Sequence, residues 1–119
     1  MPHDPRKCLD DILQAGSLIQ ASIGARSRDE YLNDLTLHAA VEREFEIIGE
    51  ALNRLLKVSP TLTQQIPEYR RIIAFRNILA HGYDIVDHHV VWLTITNKLP
   101  DLLLRVQSQL ASFPSSTSQ

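Results

Sequence analysis

With a single cysteine, Cys8, the chain can form neither an intramolecular disulfide nor a multi-cysteine metal site. Such cysteine poverty points to the cytoplasm rather than to an oxidising compartment. No apolar run approaches the roughly 18 residues that a membrane span needs, so no membrane role is expected. Near the start, Asp10 and Asp11 interrupt any stretch that could form the core of a signal peptide. Glycine and proline are scarce, 4 and 6 in all, and no Asn-Gly or Asp-Gly pair marks a β-hairpin. Excess positive charge is missing too, for the formal net charge is −2. That argues against a protein that coats nucleic acid by broad phosphate neutralisation. It leaves room for a small local anion site, where nearby charges outweigh the total.

What is present is apolar residues, 44% of 119, enough for a core without covalent staples. One domain over residues 1–119 is expected, with a polar tail frayed from about 112 to 119. The apolar periodicity is helical almost throughout. Asp4 can cap a first helix with Pro5 at its first position. Leu9, Ile12, Leu13, Gly16, Ile19 and Ile23 then share a face, and Gly24 ends it. Ser27 and Glu30 have capping-box spacing and predict a short turn through Leu32. A second long helix carries the stripe Val41, Phe45, Ile48, Leu52 and Leu55, with Glu42, Arg43, Glu46 and Glu50 mostly outward, and Ser59-Pro60 ends it.

A connector from Pro60 to Ile66, with about one helical turn, leads to a third helix that Pro67 can open, that reaches about Ala80 and that Gly82 can close. Asp87 can cap a fourth, faced by Val91, Ile95, Leu99, Leu102, Val106 and Leu110. Pro100 falls inside this pattern and should kink or split the helix. The pattern predicts an all-α, up-and-down bundle of four main helices with short extra turns.

Chemistry concentrates between Arg76 and Tyr83. Arg76 lies in line with the apolar residues Ile72, Ile73 and Leu79, while Asn77 and His81, four apart, stack on an adjacent face. Arg76 and His81 are five apart, so an ideal helix points them about 140° away from each other. They converge if the helix loosens at Gly82, if the arginine swings, or if a second chain brings its own copy. Arginine can grip a phosphate through two hydrogen bonds. Histidine can move protons near neutral pH, and asparagine can orient a phosphate oxygen or an imidazole. Arg70, Arg71 and Arg76 outnumber the lone Glu68 here, which suits an anionic substrate. On spacing alone, a structural histidine at a helix end explains the pattern better, because Arg-x4-His is short enough to occur often by chance.

The wider pattern discriminates. Phe75-Arg76-Asn77-Ile78-Leu79-Ala80-His81-Gly82-Tyr83, followed by Val86-Asp87, Val91-Trp92 and Leu99-Pro100, resembles the HepT family of HEPN ribonuclease toxins. Phe45-Glu46-Ile47-Ile48-Gly49-Glu50-Ala51 resembles that family's second helix, so the likeness spans roughly residues 5 to 110. It implies a homodimeric, metal-independent endoribonuclease that needs no cofactor and leaves a 2′,3′-cyclic phosphate. Arg76 and His81 would be catalytic, and Asn77 and Tyr83 would position RNA. The family's R-x4-H-x-Y motif falls on Arg76, His81 and Tyr83. The resemblance also implies a minimal nucleotidyltransferase antitoxin that uses ATP to attach AMP to Tyr83. The alternative class is a non-catalytic helical partner of that nucleotidyltransferase, and a nucleotide-binding accessory subunit is a weaker one.

The remaining candidates have plainer readings. His88 and His89 are adjacent and point to different sides of a helix, so ordinary solvent or cap contacts are expected rather than a metal site with His81 and Asp84. His3 and His38 have no companion. Trp92 and Tyr69 are expected in packing, and Cys8 has no catalytic role.

Overall fold

The computed structural model describes residues 4–82 and 86–114. Among these residues no strand occurs, and the chain forms the expected all-α bundle. Its elements are α1 (Pro5–Ile23), α2 (Arg28–Leu32), α3 (Leu35–Val58), α4 (Pro60–Gln64), α5 (Tyr69–His81), α6 (His88–Leu93), a π-helical turn (Thr94–Lys98) and α7 (Leu99–Ala111). The four main helices are α1, α3, α5 and the run from α6 to α7.

Local chemistry sets most boundaries. Asp4 caps α1 by accepting from the Arg6 amide, and Gly24 closes it at φ +55°. Ser27 and Glu30 form the reciprocal capping box of α2. Asp34 caps α3, Ser59 ends it and opens α4, and Asp87 caps α6 through the amides of His89 and Val90. The side chains expected inside are inside: Leu9, Ile12, Ile19, Phe45, Ile48, Leu52, Leu99, Leu102 and Val106 are buried. Burying such a side chain is worth roughly 1.5–3 kcal/mol, which is what holds the bundle together. Leu13 and Leu110 of the expected faces are half-buried, as are Ile73 and Leu79 on the third helix.

One boundary differs from the sequence reading. Pro67 does not open α5; the helix begins two residues later, at Tyr69. Ile66 is buried, and Glu68 takes a left-handed φ of +66° that turns the chain from that anchor into α5. Of the two outcomes expected at Pro100, a kink or a split, the fourth helix shows the split. Proline has no N–H for the carbonyl four residues back, and the preceding turn widens so that the Leu99 amide reaches Thr94 O, five residues back.

Two glycines set how closely the helices approach. A Cβ on Gly16 would lie 2.4 Å from Leu103 Cδ2, so α1 and α7 touch there. A Cβ on Gly49 would lie 2.3 Å from Arg76 Cβ and 3.3 Å from the Ile72 carbonyl oxygen. Helix α5 therefore lies flush on the α3 backbone at the turn that carries Arg76. The expected frayed tail is partly ordered, because Phe113 packs on the core and Arg6 Nη1 donates to Pro114 O at 3.3 Å. Residues 115–119 lie outside the described residues.

Candidate active site

Helix α5 carries the candidate residues, and it is poorly covered for a bundle helix. Of its residues only Ile72 is fully buried, while Ile73, Phe75, Ile78 and Leu79 are half-buried. An apolar cleft of about 320 Å³ opens between α5 and α6, lined by Phe45, Ile72, Phe75, Ile78 and Val91 among others. Val90 and Leu93 of α6 are about half exposed beside it.

The Arg76 side chain leaves α5 directly against Gly49 and retains 28% exposure. Its Nε is buried with no hydrogen-bond partner among the described residues. The guanidinium is therefore presented by its outer nitrogens. Nη1 donates to Asn77 Oδ1 at 3.2 Å, and Nη2 donates to Glu50 Oε2 at 3.4 Å. A planar fork held at its two ends can still offer its remaining protons to a phosphate. Asn77 thus orients Arg76 here, a contact between sequence neighbours that helical spacing does not suggest.

His81 is exposed and is the last residue of α5. The helix stays regular through it and closes at Gly82, φ +65°, whose amide reaches Ile78 O. The looseness that could have turned His81 toward Arg76 within one helix is absent from α5. Arg76 and His81 remain about 140° apart around the axis and about 7.5 Å apart along it. Tyr83 and Asp84 lie outside the described residues, as does His3.

Between α2, α3 and α6 stands an aromatic cluster that the sequence did not announce. His38, read as isolated, stacks on His88 with centroids 3.7 Å apart and planes at 14°. Tyr31 and Trp92 complete the cluster, their ring centroids 5.6 Å apart. His38 Nε2 lies 2.7 Å from the Tyr31 carbonyl oxygen, which only accepts, so this nitrogen carries the proton. Burial pushes the His88 imidazole below its ordinary value, and His38 pushes it further. Glu42, 3.8 Å from His88 Nδ1, and Asp87 act in the opposite direction, while His89 adds to the lowering. Burial raises the Tyr31 phenol, which stays neutral. Glu42 is thus not simply a solvated residue, and neither is Glu50.

The His88 shift has a sign for stability. Unfolded histidine protonates near pH 6.5, and the folded protein resists that proton. Below about pH 6.5 the unfolded state binds more protons, so stability present above that pH falls as pH drops toward the lower folded value. Melting temperatures from pH 7.5 to 5.0 should decline more steeply for the natural chain than for His88→Phe. Parallel declines would remove His88 as the cause.

The other candidates settle into packing. Tyr69 is half-buried on the core, and its hydroxyl accepts from Arg70 Nε at 2.9 Å. Trp92 packs on the core and against Tyr31. Burial raises the Cys8 thiol despite the neighbouring Arg54, which suits a structural residue. Among the described residues, no three His, Cys, Asp or Glu side chains are grouped so as to hold a metal ion. No helix among them is long and apolar enough to cross a membrane.

An arginine fork and a terminal histidine thus stand on a half-covered helix of a small α-bundle. The family described as ribonuclease HepT-like matches residues 12–108, and the chain belongs to that family. It is 31% identical over 106 residues to a candidate RNase of Caldanaerobacter subterraneus, covering 89% of this chain and 94% of the relative. It is 32% identical over 102 residues to a candidate ribonuclease HepT of Thermococcus cleftensis, covering 86% and 92%. A candidate RNase of Methanocaldococcus jannaschii is 29% identical over 104 residues, covering 87% and 85%. No solved structure matches the chain.

Proposed function

We propose that this HepT-like ribonuclease is the toxin of a type VII-like toxin–antitoxin pair, a cytoplasmic endoribonuclease that works without metal as a homodimer. The observation that carries the reading is the Arg76 fork, held at an open surface with its outer nitrogens outward, on the helix that ends in exposed His81. The 2′-oxygen of RNA attacks the adjacent phosphorus as its proton leaves. The 5′-oxygen departs with a proton, and a 2′,3′-cyclic phosphate remains. The nucleophile is built into the substrate, so acid–base catalysis and charge stabilisation suffice.

Arg76 stabilises the phosphate, His81 moves a proton, and Asn77 orients the arginine and the RNA. Two proton transfers call for two acid–base groups, and a two-fold axis supplies a second His81. The divergence of Arg76 and His81 within regular α5, and the uncovered apolar surface of α5 and α6, support a paired arrangement.

Tyr83, one residue beyond Gly82, is the proposed regulatory site. Its phenol oxygen attacks the α-phosphorus of ATP on a minimal nucleotidyltransferase, pyrophosphate leaves, and the phenolic proton passes to solvent or a base. The attached AMP adds bulk and negative charge beside His81, which repels an RNA phosphate. Coexpression with such a nucleotidyltransferase should raise the intact mass by whole AMP units and silence RNA cleavage, and Tyr83→Phe should block both effects. An unchanged mass would remove Tyr83 as the target. If the chain expressed alone is harmless and cleaves no RNA, it serves instead as a binding partner.

A further inference from the structure

We propose that Glu50 is a positioning residue for Arg76, a clamp that fixes the guanidinium for phosphate binding; the inference rests on the ribonuclease reading above. Three observations converge on it. Gly49 lets α5 lie so close that Arg76 must run along the α3 backbone from its Cβ outward. The buried Nε leaves only the two outer nitrogens to be steered. Glu50 Oε2 takes one of them at 3.4 Å, and Asn77 Oδ1 takes the other at 3.2 Å.

A free arginine side chain samples many rotamers, and ordering it during the reaction lowers the fraction of productive encounters. Two acceptors on opposite ends of the fork order it beforehand. Glu50 sits at the outer edge, its side chain 48% exposed, so the clamp leaves the guanidinium open to solvent. Its negative charge has an opposing effect, since it repels the incoming phosphate. Orientation needs only an acceptor, whereas repulsion needs the charge. Glutamine keeps the first and removes the second, so the two effects separate by substitution.

The expected pattern is a split between kcat and KM. Glu50→Ala should lower kcat by about ten- to a hundred-fold, the scale of a misplaced catalytic group. Glu50→Gln should keep kcat within about twofold of the natural chain and leave KM equal or lower, because an acceptor remains and the repulsion is gone. Melting temperatures should be unchanged, since the residue is half exposed. A second readout does not depend on cleavage. The heteronuclear NOE of the Arg76 Nε–H group should report order in the natural chain and in Glu50→Gln, and mobility in Glu50→Ala.

Unchanged or faster turnover by Glu50→Ala would overturn the clamp, as would a glutamine variant as slow as the alanine one. An NOE that stays high in Glu50→Ala would also overturn it. Full activity of Arg76→Ala would instead sink the ribonuclease site itself, and the NOE would still decide whether Glu50 orders the side chain.

Discussion

Gly49→Ala should destabilise the protein by about 1–3 kcal/mol, the usual range for a methyl group forced into a packed contact. For a chain of this size that lowers the melting midpoint on the order of 5–15 °C. The new Cβ would meet Arg76 Cβ at 2.3 Å, Arg76 Cγ at 2.8 Å and the Ile72 carbonyl at 3.3 Å. Two of these atoms are backbone or fixed directly to it, so rotamer changes cannot relieve the contact and α5 has to lift from α3. Helix propensity works the other way, since alanine is favoured over glycine by about 0.8–1.0 kcal/mol, but it recovers only part of the loss. Lifting α5 also shifts Arg76 relative to Glu50, so RNA cleavage should fall together with stability.

Gly16→Ala is the internal control. Its clash, 2.4 Å from Leu103 Cδ2, is with the end of a flexible side chain that can rotate. Thermal melts of the two variants should therefore separate, with Gly49→Ala the lower. Equal midpoints would mean that α5 is not held against α3 as described.

Loss of either catalytic candidate should have a larger effect on activity. Arg76→Ala removes the group proposed to meet the charge on the phosphate, and comparable arginines in phosphoryl transfer are worth about 10³–10⁵ in rate. His81→Ala removes a proton carrier, worth about 10²–10⁴. Both side chains are at least partly exposed, so neither change should unfold the bundle. Regular α5 keeps them on different sides of one helix, so a composite site would join Arg76 of one protomer with His81 of the other. Mixing the two inactive variants, with exchange of subunits, should then restore a small fraction of the activity, because a mixed dimer holds one intact Arg76–His81 pair but lacks the second His81 as its other proton carrier. No recovery, with exchange confirmed by native mass spectrometry, would place the working pair within one chain.

Much of this architecture is written in local chemistry. Asp4, Ser27, Asp34 and Asp87 cap the helices because each carries a side-chain acceptor just ahead of a periodic apolar run. The stripe from Val41 to Leu55 is legible for the same reason, since its spacing has one solution in a helix. Pro67 misleads because tertiary burial of Ile66 decides where the turn falls, and proline's preference is too weak to oppose it. The arginine and histidine of α5 are visible as types, but their relation is not. Glu50 is 26 residues from Arg76, and its outward spacing on α3 reads as a solvated face. Gly49 left a usable signal, because glycine in mid-helix has a cost that close packing explains. The stack of His38 on His88 has no periodic signature, for it joins two helices across 50 positions of sequence.

Cleavage of RNA by the purified chain in excess EDTA is the deciding measurement. The prediction is that the natural chain cuts RNA there, leaves 2′,3′-cyclic phosphate ends, and loses about 10²–10⁴ of that rate in His81→Ala. An intact substrate, or equal cutting by the His81→Ala variant, would contradict it.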